Sequence, residues 1–117
     1  MSKTKRFADI FDGLKAAYGT YKIQGSQSNG KNTGKASVVR EPRTKALWDE
    51  HLSGKGAAIG IIPINEENKV KWGCIDIDEY PLDHKELVAK IRRMKLPLVV
   101  CRSKSGGAHC YFFTTGW

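Results

Sequence analysis

The sequence predicts an α+β fold in which a largely antiparallel sheet is covered by helices. Two observations carry this. Segments with the three- and four-residue apolar spacing of helices alternate with short β-prone runs, in the order helix, hairpin, helix, strand, strand, helix, strand, strand. Consecutive strands come in pairs joined by segments that contain Gly, Asn or Pro, a connection suited to antiparallel neighbours. At 117 residues the chain has the size of one domain. It reads as a single unit over 1–117, with an N-terminal helix and hairpin in 1–43 and the remainder in 44–117.

Phe7, Ile10, Phe11, Leu14, Ala17 and Tyr18 recur at helical steps, so a helix is expected from Thr4 to Tyr18, stopped by Gly19. Thr20–Ile23 and Ala36–Val39 are β-prone and flank a Gly/Ser/Asn/Lys-rich stretch, Gln24–Lys35, expected as the long, mobile, basic tip of a hairpin. Within it, Gly30-Lys31-Asn32-Thr33-Gly34-Lys35-Ala36 fails as a phosphate-cradling P-loop: it has one residue too few between its glycines, and Ala36 stands where Ser or Thr is needed. A loop touching a nucleic-acid backbone and a merely solvated loop both stay open.

Pro42 and Thr44 open a second helix, with Leu47, Trp48, His51 and Leu52 on one face and Gly54 closing it. His51 has no acid or cysteine at a partnering step and reads as a half-buried helix residue. Ala57–Ile62 is expected as a buried strand and Pro63–Lys69 as the turn into the run Lys71–Asp78, so these two strands should pair antiparallel. Asp83, with Glu86 three residues on, has the form of a capping box for a third helix. Leu87, Val88, Ile91 and Met94 are expected to face the core, while Lys85, Lys90, Arg92, Arg93 and Lys95 form a basic stripe and Pro97 ends the helix. Leu98–Cys101 reads as another buried strand and Ser103–Ala108 as a turn. His109–Thr114 then pairs back, with His109, Tyr111 and Phe113 on one face.

Twenty basic residues against twelve acidic ones give a formal charge of +8, which favours polyanionic partners. The three cysteines, Cys74, Cys101 and Cys110, form no CxxC pair and read as reduced core residues of a cytoplasmic protein. Zinc on Cys101, His109 and Cys110 would lack a fourth ligand, and adjacent His and Cys face opposite sides of a strand. There is neither a membrane-spanning apolar run nor a signal-peptide core, so no membrane association is expected.

Against this basic background, Lys71-Trp72-Gly73-Cys74-Ile75-Asp76-Ile77-Asp78 ends in two carboxylates one residue apart. On a strand, Asp76 and Asp78 leave one face, with backbones about 6.6 Å apart, while Ile75 and Ile77 enter the core. From that spacing the carboxylates can converge on divalent cations, which in two-metal sites lie about 3.5–4 Å apart. Like charges this close need a positive neighbour. The carboxylate strand and the final hairpin should both lie centrally, so that Asp76, Asp78 and His109 meet.

From Trp48 onward, a little over half the chain, the sequence resembles the archaeo-eukaryotic primase superfamily, closest to primase-polymerase domains of phages, plasmids and TOTE conflict systems. The resemblance rests on Trp48-x-x-His51-Leu52-x-Gly54-Lys55, Ile59-Gly60-Ile61-Ile62-Pro63, Ile75-Asp76-Ile77-Asp78 and Arg102-Ser103-Lys104-Ser105-Gly106-Gly107-Ala108-His109. It implies the first part of a primase-like catalytic domain that makes or extends primers on single-stranded DNA. In this resemblance Asp76 and Asp78 are the catalytic acids and hold Mg²⁺ or Mn²⁺. Ser103, Ser105, Gly106, Gly107 and His109 bind the incoming nucleoside triphosphate, and Arg102 and Lys104 contact phosphate or template. It further implies a fused or separate helicase as partner.

The family pattern carries a third acidic motif on a later strand, and no such acid follows Glu86 here. The chain is therefore expected to be an incomplete domain, whose own activity the pattern leaves open and whose final hairpin is an open edge prone to self-association. Two alternatives compete. One is a catalytically inactive nucleotide- or nucleic-acid-binding module descended from a primase. The other, a rolling-circle initiator or relaxase, needs two histidines flanking an apolar residue, whereas His109-Cys110-Tyr111 supplies one.

Overall fold

The computed structural model describes residues 2–117, and it is α+β: three helices and two three-stranded sheets, with the elements running α1 (Lys3–Ile10), β1 (Tyr18–Ser26), β2 (Asn32–Val39), α2 (Lys45–Ser53), β3 (Ala58–Gly60), β4 (Trp72–Ile77), α3 (His84–Arg93), β5 (Val99–Arg102) and β6 (Ala108–Phe113). The chain forms two compact units. One comprises the residues up to Lys22, Lys35–Lys71 and Thr114–Trp117; the other comprises Ile23–Gly34 and Trp72–Phe113.

In the first unit, Ser2 caps α1 by accepting from the Lys5 amide, and the helix ends at Ile10 instead of continuing to Tyr18. Tertiary bonds outcompete the helical spacing there. The Leu14 amide donates to the Ile62 carbonyl (2.9 Å), and Asp12 accepts from the Arg43 guanidinium (2.8 Å) and from the Gly13 amide (2.8 Å). Tyr18, expected on the helix, is the buried first residue of β1. Helix α2 has the expected ends, Thr44 accepting from the Leu47 amide and Gly54 closing it, and it buries Trp48 against Phe7. His51 Nδ1 accepts from the Ile59 amide (3.3 Å), whereas Leu52 is turned outward and exposed.

β3 does not pair with β4. It pairs antiparallel with β1, Thr20 opposite Ile59, in a sheet of order β2-β1-β3. The Pro63–Lys69 segment is a turn closed on itself by Asn65, which donates its amide to the Lys69 carbonyl and accepts from the Glu67 and Lys69 amides; it does not fold β3 back onto β4. Gln24–Lys35 is likewise not a long loop. β1 extends to Ser26 and β2 starts at Asn32, leaving a short turn closed between Gln27 and Lys31.

In the second unit the sheet order is β4-β6-β5, so β6 of the final hairpin is central, as expected, while the carboxylate strand β4 and β5 are its edges. Ala108 and Cys110 on β6 are fully buried. Helix α3 is capped by Asp83, which accepts from the Glu86 amide (3.0 Å), and it buries Ile91 while packing at the β5 edge. β4 is covered only in part: Trp72 is buried, whereas Ile75, expected in the core, is 51% exposed. Val99 and Met94 are exposed too, and of the three cysteines only Cys110 lies inside, Cys74 and Cys101 being exposed on the edge strands.

Candidate functional site

β4 and β6 run in antiparallel register from Trp72 opposite Phe113 to Ile77 opposite Ala108, which places Asp76 opposite His109. His109 Nε2 lies 3.6 Å from Asp76 Oδ1. Cys101 of β5 is the other partner of His109, so by strand alternation Asp76, His109 and Cys101 share a sheet face that continues through Cys74, Tyr111 and Trp72. Tyr111 packs edge-on against both Trp72 (5.7 Å) and His109 (5.9 Å), with its hydroxyl 3.2 Å from His109 Nδ1. Burial above all, helped by Cys74, Cys101 and Asp76 nearby, pushes the Tyr111 hydroxyl up to about 12. It therefore keeps its proton at neutral pH. The hydroxyl and Nδ1 are hydrogen-bond partners, and the other ring nitrogen, Nε2, is the one turned toward Asp76.

Asp78 lies one residue past the end of β4 and is tied to the opposite limb of the site by Tyr80. The Tyr80 hydroxyl donates to Asp78 Oδ1 (2.9 Å) and stands 2.8 Å from Ser105 Oγ, which is 3.2 Å from the Oγ of buried Ser103. One acid thus faces the histidine directly, and the other reaches the serines through a tyrosine.

The Ser103–Gly107 turn is closed by two backbone bonds, the Ser103 amide to the Gly107 carbonyl (3.1 Å) and the Gly106 amide to the Ser103 carbonyl (3.1 Å). Gly106 has φ +105°, a conformation that L side chains rarely adopt. At Gly107 a Cβ would stand 2.2 Å from the Ile77 carbonyl oxygen, so glycine is what lets the turn lie against the end of the carboxylate strand. His84, the first residue of α3, holds that approach with Nε2 2.8 Å from the Gly107 carbonyl. Asn32 holds the other side: its amide donates to the Ser105 carbonyl (2.6 Å) and its Nδ2 to the Lys104 carbonyl (2.9 Å). Burial lowers the Lys104 ammonium below its ordinary 10.5.

Of the residues expected from sequence, Asp76, Asp78, Ser103, Ser105, Gly106, Gly107 and His109 converge around the end of β4, and Lys104 lies within the turn. Arg102 does not join them by register. It pairs with Ala108, which places it on the face opposite His109. Tyr80, His84, Tyr111 and Asn32 were not singled out as site residues by sequence. Tyr111 and Tyr80 each carry a usable signal, two residues from His109 and from Asp78; His84 and Asn32 enter through tertiary contact, Asn32 across 72 positions.

Among the described residues no group of three or more His, Cys, Asp and Glu side chains is placed to hold a metal ion. The two exposed carboxylates do suit Mg²⁺ or Mn²⁺, hard cations that are commonly held by one or two carboxylates and complete their shell with water and substrate phosphate.

No helix among the described residues is long and apolar enough to cross a membrane. Neither a curated protein nor a solved structure gives a significant match to the chain. A family model does, over residues 15–116: that of the archaeo-eukaryotic primase domain of TOTE conflict systems. With nearly the whole length matched, and the carboxylate strand and the serine-glycine-histidine turn adjoining in space, the chain belongs to the archaeo-eukaryotic primase domain family of TOTE conflict systems.

Proposed function

We propose that the chain is a nucleotidyl-transfer module that binds a nucleoside triphosphate at the Ser103–His109 turn, with Asp76 and Asp78 holding a divalent cation. Its substrates are nucleoside triphosphates and a single-stranded DNA template or primer, in the replication of a phage, plasmid or other mobile element. The observation that carries this reading is the double junction of acids and turn, Asp76 against His109 and Asp78 through Tyr80 to Ser105.

The roles follow from chemistry. The His109 imidazole and the hydroxyls of Ser103 and Ser105 donate to phosphate oxygens. The Gly106-Gly107 pair keeps the turn tight against the end of the carboxylate strand, which holds the Ser103 and Ser105 hydroxyls beside the acids. Lys104 adds positive charge at the turn, and the excess of basic residues adds it along the template. When bound, Mg²⁺ or Mn²⁺ neutralises triphosphate charge and favours ionisation of the attacking hydroxyl.

Equilibrium titration of the chain with ATP, with and without Mn²⁺, tests the reading. Saturable binding that requires the cation is expected, and binding indifferent to it, or none, contradicts the proposal. A second reading, binding without catalysis, is favoured by the two-carboxylate donor set among the described residues. A template-directed synthesis assay separates the two: product on a primed single strand identifies an enzyme, and nucleotide binding with no product identifies a binding module.

A further inference from the structure

The stretch Gly30–Ala36 fails as a P-loop, yet its first residues contact the same turn that the primase-like reading uses. Asn32 donates twice to the turn backbone, at the Ser105 carbonyl (2.6 Å) and the Lys104 carbonyl (2.9 Å). The Gly30 carbonyl lies 3.0 Å from where a Cβ on Gly106 would stand, so the two backbones are in close contact. Lys31 Nζ sits 5.4 Å from the centroid of the Tyr80 ring, whose hydroxyl touches both Asp78 and Ser105. Lys31 makes no ion pair with a described residue; half-buried, its ammonium rests on the face of the Tyr80 ring.

We propose that the β1–β2 tip is a working wall of the nucleotide site, in which Asn32 is a positioning residue for the Ser103–Gly107 turn and Lys31 contacts the triphosphate. The tip replaces what a P-loop would supply. Two hydrogen bonds from Asn32 occupy the Lys104 and Ser105 carbonyls and fix the turn, so that its hydroxyls face the incoming anion. Lys31 brings a point charge to the side of the site occupied by Tyr80. Phosphate selectivity then depends on a segment far in sequence from the acids and the histidine. This inference rests on nucleotide binding at the Ser103–His109 turn.

The test is calorimetric titration of the whole chain with ATP and with AMP in Mn²⁺, for the wild type, Lys31→Ala, Lys31→Arg, Asn32→Ala and His109→Ala. Lys31→Ala is expected to weaken ATP binding about three- to tenfold, the scale of one charge-assisted contact, and AMP binding by less than about twofold. Lys31→Arg should restore ATP binding. Asn32→Ala should weaken ATP binding and speed hydrogen exchange at the amides of Ser103 and Gly106. ATP binding unchanged in Lys31→Ala and Asn32→Ala but lost in His109→Ala overturns the inference and leaves the primase-like site standing. Equal weakening of ATP and AMP in Lys31→Ala, with a lowered thermal midpoint, makes Lys31 structural and overturns it as well. Absence of ATP binding in the wild type removes both.

Discussion

His109 and Asp76 are direct cross-strand partners, with Nε2 3.6 Å from Oδ1, so the histidine proposed to contact phosphate faces one of the two acids proposed to hold the cation. Replacing His109 with Ala removes that donor while leaving the β4–β6 backbone ladder intact. Triphosphate affinity should fall about tenfold or more, the scale of a lost hydrogen bond to a charged group. Affinity for single-stranded DNA should change little, because that term is spread over many basic residues and falls with salt. Fluorescence titrations with both ligands at two salt concentrations check this. Equal losses for both, or loss of the cooperative thermal transition, would make His109 structural.

Gly107→Ala tests the contact between the turn and the carboxylate strand. A Cβ at 2.2 Å from the Ile77 carbonyl oxygen forces the turn off the end of β4, an overpacking change expected to cost about 1–3 kcal/mol. Thermal melts of Gly107→Ala should show a midpoint several degrees below wild type. Gly116→Ala, where a Cβ meets nothing within 4 Å, should match wild type.

The ion pair of Asp12 and Arg43 makes the first unit acid-sensitive. Burial pushes the Asp12 carboxyl up, but the bonds from Arg43 and the Gly13 amide, with the charges of Arg43 and Lys15, outweigh it and hold the group below the ordinary 3.8. A depressed folded-state value stabilises the fold above 3.8, and that stabilisation is lost as pH falls through the folded-state value. Arg43 is 8% and Asp12 24% exposed, so Asp12→Asn is expected to cost about 1–2 kcal/mol at neutral pH after discounting for solvent screening. The wild-type and variant melting curves should converge below pH 3.8. A gap that persists undiminished there would mean that the Asp12 charge is not what stabilises this unit.

Much of the site was legible because it depends on local rules. Alternation placed His109, Tyr111 and Phe113 on one face, and the Gly-Gly pair marked the turn that closes on Ile77. The caps Thr44, Gly54 and Asp83 announced their helix ends in the same way. What stayed hidden was decided by distant partners. The apolar spacing that extended α1 to Tyr18 is overridden by the Leu14 bond to Ile62, and the β-run at Ala58–Gly60 carries no mark of whether it joins β1 or β4. An apolar strand cannot declare its own cover, so Ile75 and Val99 read as core although they lie on sheet edges. Asn32 bears on the site, and Tyr80 links Asp78 to the serines, because the distant Ser103–Gly107 turn comes to them.

The central claim is that Asp76 and Asp78 hold the cation for a triphosphate at the turn, and electron paramagnetic resonance of Mn²⁺ in the presence of ATP reads it directly. After allowance for Mn²⁺ complexed by ATP alone, the wild-type chain should bind Mn²⁺ saturably and deplete the free-ion signal. Asp76→Asn with Asp78→Asn should not, while its thermal transition stays in place or rises slightly as the repulsion between neighbouring carboxylates is relieved. A folded double variant that depletes the Mn²⁺ signal as wild type does would contradict the account, because the cation would then be held without the two acids.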